Sequence, residues 1–308
     1  MNPTPLSRIP GRLTIAGKPV GHGCPAYIAA EIGINHNGDL GLATRLIDAA
    51  ALAGCDAVKF QKRTPELCVP PAMRDVPRET PWGLMSYMDY RRRMEFDLDA
   101  FARIDRYCRE KGIAWFASAW DVPSLDFLAR FDAPCVKIPS ACLTDDALLA
   151  RARALGIPVV LSTGMSTMEQ IRHAVGLLDP ANLVLLHCTS TYPCPPAELN
   201  LRAMFTLAEE FGCPVGYSGH ESGLQTTVAA ATLGACFIER HLTLDRAMWG
   251  SDHAASIEPG GFSRLVRDIR VVEQALGDGV KRVYDSEIPV MKRLRAPAMR
   301  PTDLARAG

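Results

Sequence analysis

The stretch AGCDAVKF, residues 53–60, sets the end of one element directly against the start of the next: a glycine closes a helical pattern and a β-branched apolar run follows at once. The same junction recurs in KGIAWFAS (111–118), LGIPVVLS (155–162), FGCPVGYS (211–218) and LGACFIER (233–240). Glycine suits the residue after a helix because that position takes a left-handed backbone, which a Cβ disfavours. Helices that stop this abruptly before strands predict short αβ turns, and hence parallel strands with right-handed crossovers.

Working outward from these junctions, eight strand-like runs emerge: AYIAAEIGIN (26–35), AVKFQK (57–62), AWFASAW (114–120), CVKIPS (135–140), PVVLSTG (158–164), LVLLHCTS (183–190), PVGYSGH (214–220) and CFIERHLT (236–243). Between them lie helical spacings such as Leu42, Leu46, Ile47 and Ala50, or Leu148, Leu149, Ala152 and Leu155. Start signals accompany them: Thr144 ahead of Asp145 and Asp146, a capping box at Ser166 and Glu169, and Asn200 ahead of a further apolar helix. Eight β-then-α units close most simply as a (β/α)8 TIM barrel, with a doubly wound open sheet as the alternative. LTIAGKPVG (13–21) reads as a small hairpin covering the barrel's bottom. The expected organisation is a hairpin and extension over 1–25, a barrel over 26–280 and a tail over 281–308. An insertion at 63–97, holding PPAMRDVPRETPWG and YMDYRRRMEF, is either a lid over the mouth or a surface excursion.

Composition limits the function classes. Of 308 residues 48% are hydrophobic, enough for a sizeable core. The 34 basic residues balance 34 acidic ones, so no global field recruits nucleic acid or an anionic membrane. Apolar runs such as AAATLGACFI (229–238) are too short to span a bilayer, and MNPTPLSRIPGRL puts Pro and Arg where a secretory leader needs an apolar core. The 10 cysteines form no CxxC pair and several, notably Cys135 and Cys236, fall in apolar strands. They read as reduced core residues, and the expected location is cytoplasmic.

Barrel enzymes build their sites where strands end and βα loops converge. Those ends supply Glu31, Asn35 and His36; Lys59 and Gln61; Lys137 and Ser140; Ser162 and Thr163; His187, Ser190 and Tyr192; Ser218 and His220; Glu239 and His241. Lys59 and Lys137 stand in otherwise apolar strands, where an unpaired ammonium is costly to bury. They need either carboxylates such as Glu31 and Glu239, or an anionic substrate. A small phosphorylated carboxylate suits the second case, with hydroxyls from Ser140, Ser162 and Ser218 and a helix N-terminus after LSTGMS (161–166). His220 and His241 end consecutive strands, so they become neighbours on closure and either hold a divalent metal or are satisfied core histidines. The loop DRAMWGSDHAAS (245–256) can bring Asp252 or His253 to the same mouth, or leave both solvated. Apolar neighbours favour strand packing for His187 and Cys188.

These residues carry a resemblance. AEIGINHNG (30–38), AVKFQ (57–61), VKIPS (136–140), LSTGMS, LLHCTSTYP (185–193), YSGH (217–220) and ERHLTLDRAMWGSDHAAS (239–256) resemble the sialic acid synthase family over about residues 20–290. The resemblance implies condensation of phosphoenolpyruvate with a sugar aldehyde. It implies a divalent metal on His220 and His241, manganese foremost with magnesium or cobalt as alternatives. It implies phosphoenolpyruvate held by Lys59, Lys137, Ser140, Ser162 and Ser218. Glu31 is then the residue binding the sugar or a proton in flight, Tyr192 a contact to sugar or lid, and Asp252 the group ordering metal-bound water or substrate hydroxyls. A homodimer is the implied assembly. The sequence departs from the family pattern at Ala119, Cys142, Ser190 and Gly219, where members that make common sialic acids often carry Thr, an acid, Asn and Asp. The tail is also expected to be too short for the family's C-terminal antifreeze-like domain. The competing readings are a pyruvate aldolase working through a lysine Schiff base and a non-catalytic phosphoenolpyruvate-binding barrel.

Overall fold

The computed structural model describes residues 11–295. Residues 1–10 and 296–308, which include most of the stretch read against a secretory leader and the end of the tail, lie outside the described residues. The elements run β1 (Arg12–Ile15), β2 (Lys18–Gly21), β3 (Tyr27–Gly33), α1 (Leu40–Ala53), β4 (Ala57–Lys62), α2 (Pro65–Cys68), β5 (Pro77–Thr80), β6 (Gly83–Ser86), α3 (Tyr87–Met94), α4 (Leu98–Lys111) and β7 (Ala114–Ala119). They continue as α5 (Val122–Leu128), β8 (Val136–Ile138), α6 (Asp146–Ala154), β9 (Val159–Ser162), α7 (Met168–Leu177), β10 (Leu183–Cys188), α8 (Ala203–Phe211), β11 (Val215–Gly219), α9 (Gln225–Thr232), β12 (Phe237–His241), α10 (Pro259–Leu276) and α11 (Ile288–Arg295). Strands β3, β4 and β7–β12 close into a parallel barrel, with β12 paired to β3. The open-sheet alternative is excluded by that last pairing.

The junction glycines behave as their sequence context predicts: Gly54, Gly112 and Gly212 cap α1, α4 and α8 in the left-handed conformation. Helix starts shift slightly from the reading above. The capping box sits at Thr167 and Gln170 rather than Ser166 and Glu169, and Asp145, not Thr144, caps α6. Asn200 lies ahead of α8 without capping it.

Strand periodicity separates two cores. Ile28, Ala30, Val58, Trp115, Val136, Leu161, Leu185 and Ile238 belong to the cluster formed with the helices. Ala29, Ala57, Phe116, Cys135, Val160, Leu186 and Phe237 form a separate interior cluster, joined by Leu13, Ile15 and Val20 of the β1–β2 hairpin. The hairpin therefore stoppers the barrel's N-terminal end, as expected. Two residues further along each of those strands come Glu31, Lys59, Ser118, Lys137, Ser162, Cys188 and Glu239. The apolar layer is the floor on which a polar layer stands.

The insertion at 63–97 folds as α2, the β5–β6 hairpin and α3. Its Trp82 and Tyr90 pack edge-on against Trp249 of the β12–α10 loop, with ring centroids 5.8 and 5.4 Å apart, and Arg78 lies over Tyr90. The insertion is thus a wall tied to the loop that carries Asp252. The described residues divide into one unit ending at Val272 and another beginning at Glu273, the latter holding the end of α10 and α11.

Candidate active site

Register builds the polar ring. Glu31 pairs across with Lys59 and with His241, Ser118 with Lys137, and Ser218 with both Cys188 and Glu239. Together with Ser140, Ser162, Tyr192 and His220, these residues line one cavity of about 200 Å³ at the C-terminal mouth. Nine of the ten predicted site residues stand in it. The tenth, Asp252, reaches the same place from its loop, with Oδ2 3.9 Å from Nδ1 of His241.

The two lysines differ in a way that decides their chemistry. The Lys59 ammonium lies 3.2 Å from Glu31 and 3.1 Å from Glu239, and donates to Ser118 Oγ at 2.9 Å. Burial works against its charge, yet Glu239 and Glu31 outweigh burial and hold its pKa above the ordinary lysine value. Burial in turn raises Glu31, with Lys59 opposing; Glu239, equally buried, goes down because Lys59 and Lys137 both face it. The carboxylate pairing weighed from sequence is therefore real for Lys59. Among the described residues Lys137 has no carboxylate within ion-pair distance; it donates to Ser162 Oγ at 2.7 Å and to the carbonyl of Ile138 at 3.1 Å. Burial pulls its pKa down to about 8 against the attraction of Glu239. Beside it the Gly164 N–H donates to Ser140 Oγ at 3.0 Å, and a Cβ on Gly164 would collide with the hydroxyls of Ser140 and Ser190. The result is one cation with no carboxylate at ion-pair distance, set among the hydroxyls of Ser140 and Ser162, an arrangement able to take an anion.

The histidine pair offers a second function. Nδ1 of His220 faces the Thr189 carbonyl at 2.8 Å, so in the neutral ring Nδ1 carries the proton and Nε2 keeps its lone pair. Burial drives His241 down to about 3, which keeps this ring neutral and makes the Asp252 contact polar rather than an ion pair. Tyr192 Oη lies 2.5 Å from Nε2 of His220 and 3.3 Å from Nε2 of His241, so both nitrogens converge on one point. No cage of three or more His, Cys, Asp or Glu side chains occurs among the described residues. The donors fit a divalent ion with two protein nitrogens and open positions, provided Tyr192 gives way. Tyr192→Phe, which removes the competing hydroxyl but keeps the ring, is expected to tighten divalent-metal binding about 3- to 10-fold, the worth of roughly one hydrogen bond. A calorimetric titration of the substrate-free protein measures this; unchanged or weaker metal binding would contradict it.

Some strand-end residues do other work. Asn35 donates to the Leu242 carbonyl and to Ser256 Oγ, and His36 stacks on Phe96 at 4.1 Å, with burial holding its pKa near 3. Both organise loops rather than chemistry. His187 contacts the Leu199 carbonyl at 2.7 Å, as its apolar surroundings suggest, and His253 is buried against Thr243. Cys188, read as packing, lines the mouth 3.7 Å from Nδ1 of His220. The sequence reading passed over Ser118, although it stands two residues beyond Phe116 on the same strand face. The period-two alternation of a barrel strand is the signal that finds it.

Residues 46–281 match the NeuB family. The chain belongs to this family. NeuB relatives include N-acetylneuraminate-9-phosphate synthase from Homo sapiens, 38% identical over 95% of this chain and 81% of that protein. N,N'-diacetyllegionaminic acid synthase from Campylobacter jejuni is 39% identical over 84% of this chain and 80% of that protein. Only the first of those product names contains a phosphate. A crystal structure of N-acetylneuraminic acid (sialic acid) synthetase from Leptospira borgpetersenii, in complex with citrate, superposes with a TM-score of 0.81 at 32% identity, covering 92% of this chain and 97% of that one. This NeuB chain is an enzyme of the sialic acid synthase type, as its motifs implied. No helix among the described residues is long and apolar enough to cross a membrane.

Proposed function

We propose that this NeuB-family enzyme condenses phosphoenolpyruvate with an aldose or amino-sugar aldehyde to give a sialic-acid-like 3-deoxy-2-ulosonic acid and inorganic phosphate. The single observation that carries the reading is the unequal pair of lysines, one neutralised within the protein and one left for an anion. Lys137, Ser140 and Ser162 bind the anionic end of phosphoenolpyruvate, and Lys59 and Ser218 border the enol carbon. The bond formed joins C3 of phosphoenolpyruvate to the aldehyde carbon; water then adds at C2 and the C2–O bond breaks to release phosphate. Glu31, a carboxyl held toward its protonated form by burial, gives a proton to the aldehyde oxygen as it becomes a hydroxyl. Tyr192 borders the acceptor, and Asp252, whose carboxylate lies 3.9 Å from His241, orders the acceptor hydroxyls. A divalent ion on His220 and His241, manganese in this reading with magnesium or cobalt as substitutes, supplies polarisation of the aldehyde.

The reading includes a synthase barrel over 26–280, a homodimer on the strength of the resemblance, and a cytoplasmic setting supported by ten free cysteines. Its test is phosphate release from phosphoenolpyruvate against a panel of aldoses and N-acylated hexosamines, with metal or chelator. Metal-dependent release with one sugar, and a product mass equal to the carbon–carbon adduct, is the expected result; no consumption with any sugar would refute it. A pyruvate aldolase is the second reading, favoured by the depressed pKa of Lys137, about 8. Borohydride with pyruvate separates the two, since only a Schiff-base enzyme is trapped as a covalent adduct.

A further inference from the structure

A second cavity, of about 200 Å³, opens between the β11–α9 loop and the start of α10 and shares no lining residue with the mouth. Arg240 of β12 lines it, and stands between Glu239 and His241, which line the mouth. Strand alternation therefore turns Arg240 to the opposite face of the barrel wall. Arg240 is buried and spent: Nη1 donates to Glu221 Oε1 at 2.9 Å, and Nη2 to the Glu221 carbonyl at 2.6 Å. The same cavity is lined by Arg246 and Arg264, which are both exposed. Among the described residues neither guanidinium has a carboxylate within ion-pair distance. Arg246 donates from Nε to the Ala254 carbonyl at 2.9 Å, and the Arg264 side chain makes no hydrogen bond among the described residues. Glu258, the acid among the lining residues, accepts from the Arg246 backbone N–H at 3.1 Å and pairs with neither side chain.

We propose that this cavity binds a phosphate dianion, free or as the monoester of a small metabolite, between Arg246 and Arg264. The site goes beyond the synthase reading and does not rest on it. Two accessible guanidiniums from different elements border one concave space, with the exposed Ser222 beside them, and the planar edge of a guanidinium matches two phosphate oxygens at once. The protein supplies a counterion to Arg240 and none to these two. In (β/α)8 barrels the loops after the seventh and eighth strands frequently form a phosphate site, and here those strands are β11 and β12. The cavity also backs the loop that carries Asp252. Ser256, in its lining, donates from Oγ to the Asp252 carbonyl at 2.7 Å, and Arg246 holds the Ala254 carbonyl. An anion shared by Arg246 and Arg264 ties that loop to α10 without entering the mouth.

The test is calorimetric titration of the full chain with inorganic phosphate and with glycerol 3-phosphate. It is run at fixed ionic strength, so that diffuse attraction to surface charge is held constant, and in a Lys137→Met background, which silences the anion site of the mouth. Saturable binding is expected. Arg264→Gln should weaken it about 10-fold or more, the worth of one charge-assisted contact, and Arg246→Gln by a similar factor. Arg264 is the deciding variant, because its side chain is exposed and has no partner among the described residues, so its loss should leave the thermal unfolding midpoint of the phosphate-free protein unchanged. Tighter binding of the monoester supports the site and identifies an organic phosphate as its occupant; tighter binding of inorganic phosphate supports it and identifies the free ion. No saturable binding of either probe, or binding that Arg264→Gln leaves unchanged, would overturn the proposal. The readout is binding and not turnover, so failure of the synthase reading leaves the result interpretable.

Discussion

His220→Ala abolishes metal-dependent phosphate release, with an expected loss of at least about 10³-fold, because a Lewis acid contributes several kcal/mol to such a transition state. The size of the effect follows from the donor count. Two imidazole nitrogens converge on one point, and no third His, Cys, Asp or Glu group is arranged with them among the described residues. Removing one leaves a single nitrogen, which cannot hold a divalent ion against water. The fold should survive, since His220 follows β11 at the mouth and its polar contacts are local, Nε2 to Tyr192 and Nδ1 to the Thr189 carbonyl. Metal content and the thermal unfolding midpoint, measured alongside turnover, separate loss of metal from loss of structure. Undiminished metal-dependent turnover in this variant would remove the histidine pair from the mechanism.

The second large effect belongs to Lys137. Lys137→Met keeps the stem and deletes the charge, and is expected to weaken phosphoenolpyruvate binding about 10²- to 10³-fold, the worth of one or two charge-assisted contacts. The sign of its pH dependence follows from burial. With its pKa lowered to about 8 in the free enzyme, Lys137 is an ammonium below that pH and an amine above it. Phosphoenolpyruvate affinity should therefore be flat toward pH 7 and fall as pH rises through 8, and the fall should vanish in Lys137→Met. Lys59→Met makes the contrast: it strips the ammonium from between Glu239 and Glu31, two buried acidic groups, so its main cost is expected in stability. A phosphoenolpyruvate dissociation constant that Lys137→Met leaves unchanged would assign the anion elsewhere.

Much of the site was legible because barrel geometry turns sequence position into spatial position. His220 and His241 end consecutive strands, so their meeting needs only those strands to pair, and eight βα units favour a closed barrel over an open sheet. The same reasoning misjudged Asn35 and His36. A strand end marks the mouth but does not say whether a side chain faces the cavity or a neighbouring loop, and these two face Leu242 and Phe96. Ser118 was missed for the opposite reason: it looks like one small residue among several in AWFASAW until the alternation set by Phe116 places it inside.

The sequence alone determined the eight βα units, the stoppering hairpin, the polar ends of the strands and the family, all of which rest on local spacing and punctuation within a few residues of each other. Only the tertiary structure decided which lysine is free. Glu31, Lys59 and Glu239 lie far apart in the chain and meet because β12 pairs with β3 and β3 with β4. Charge compensation is a property of distance in space, since a direct ion pair needs its partners within a few ångströms, and no pattern of spacing along the chain encodes it.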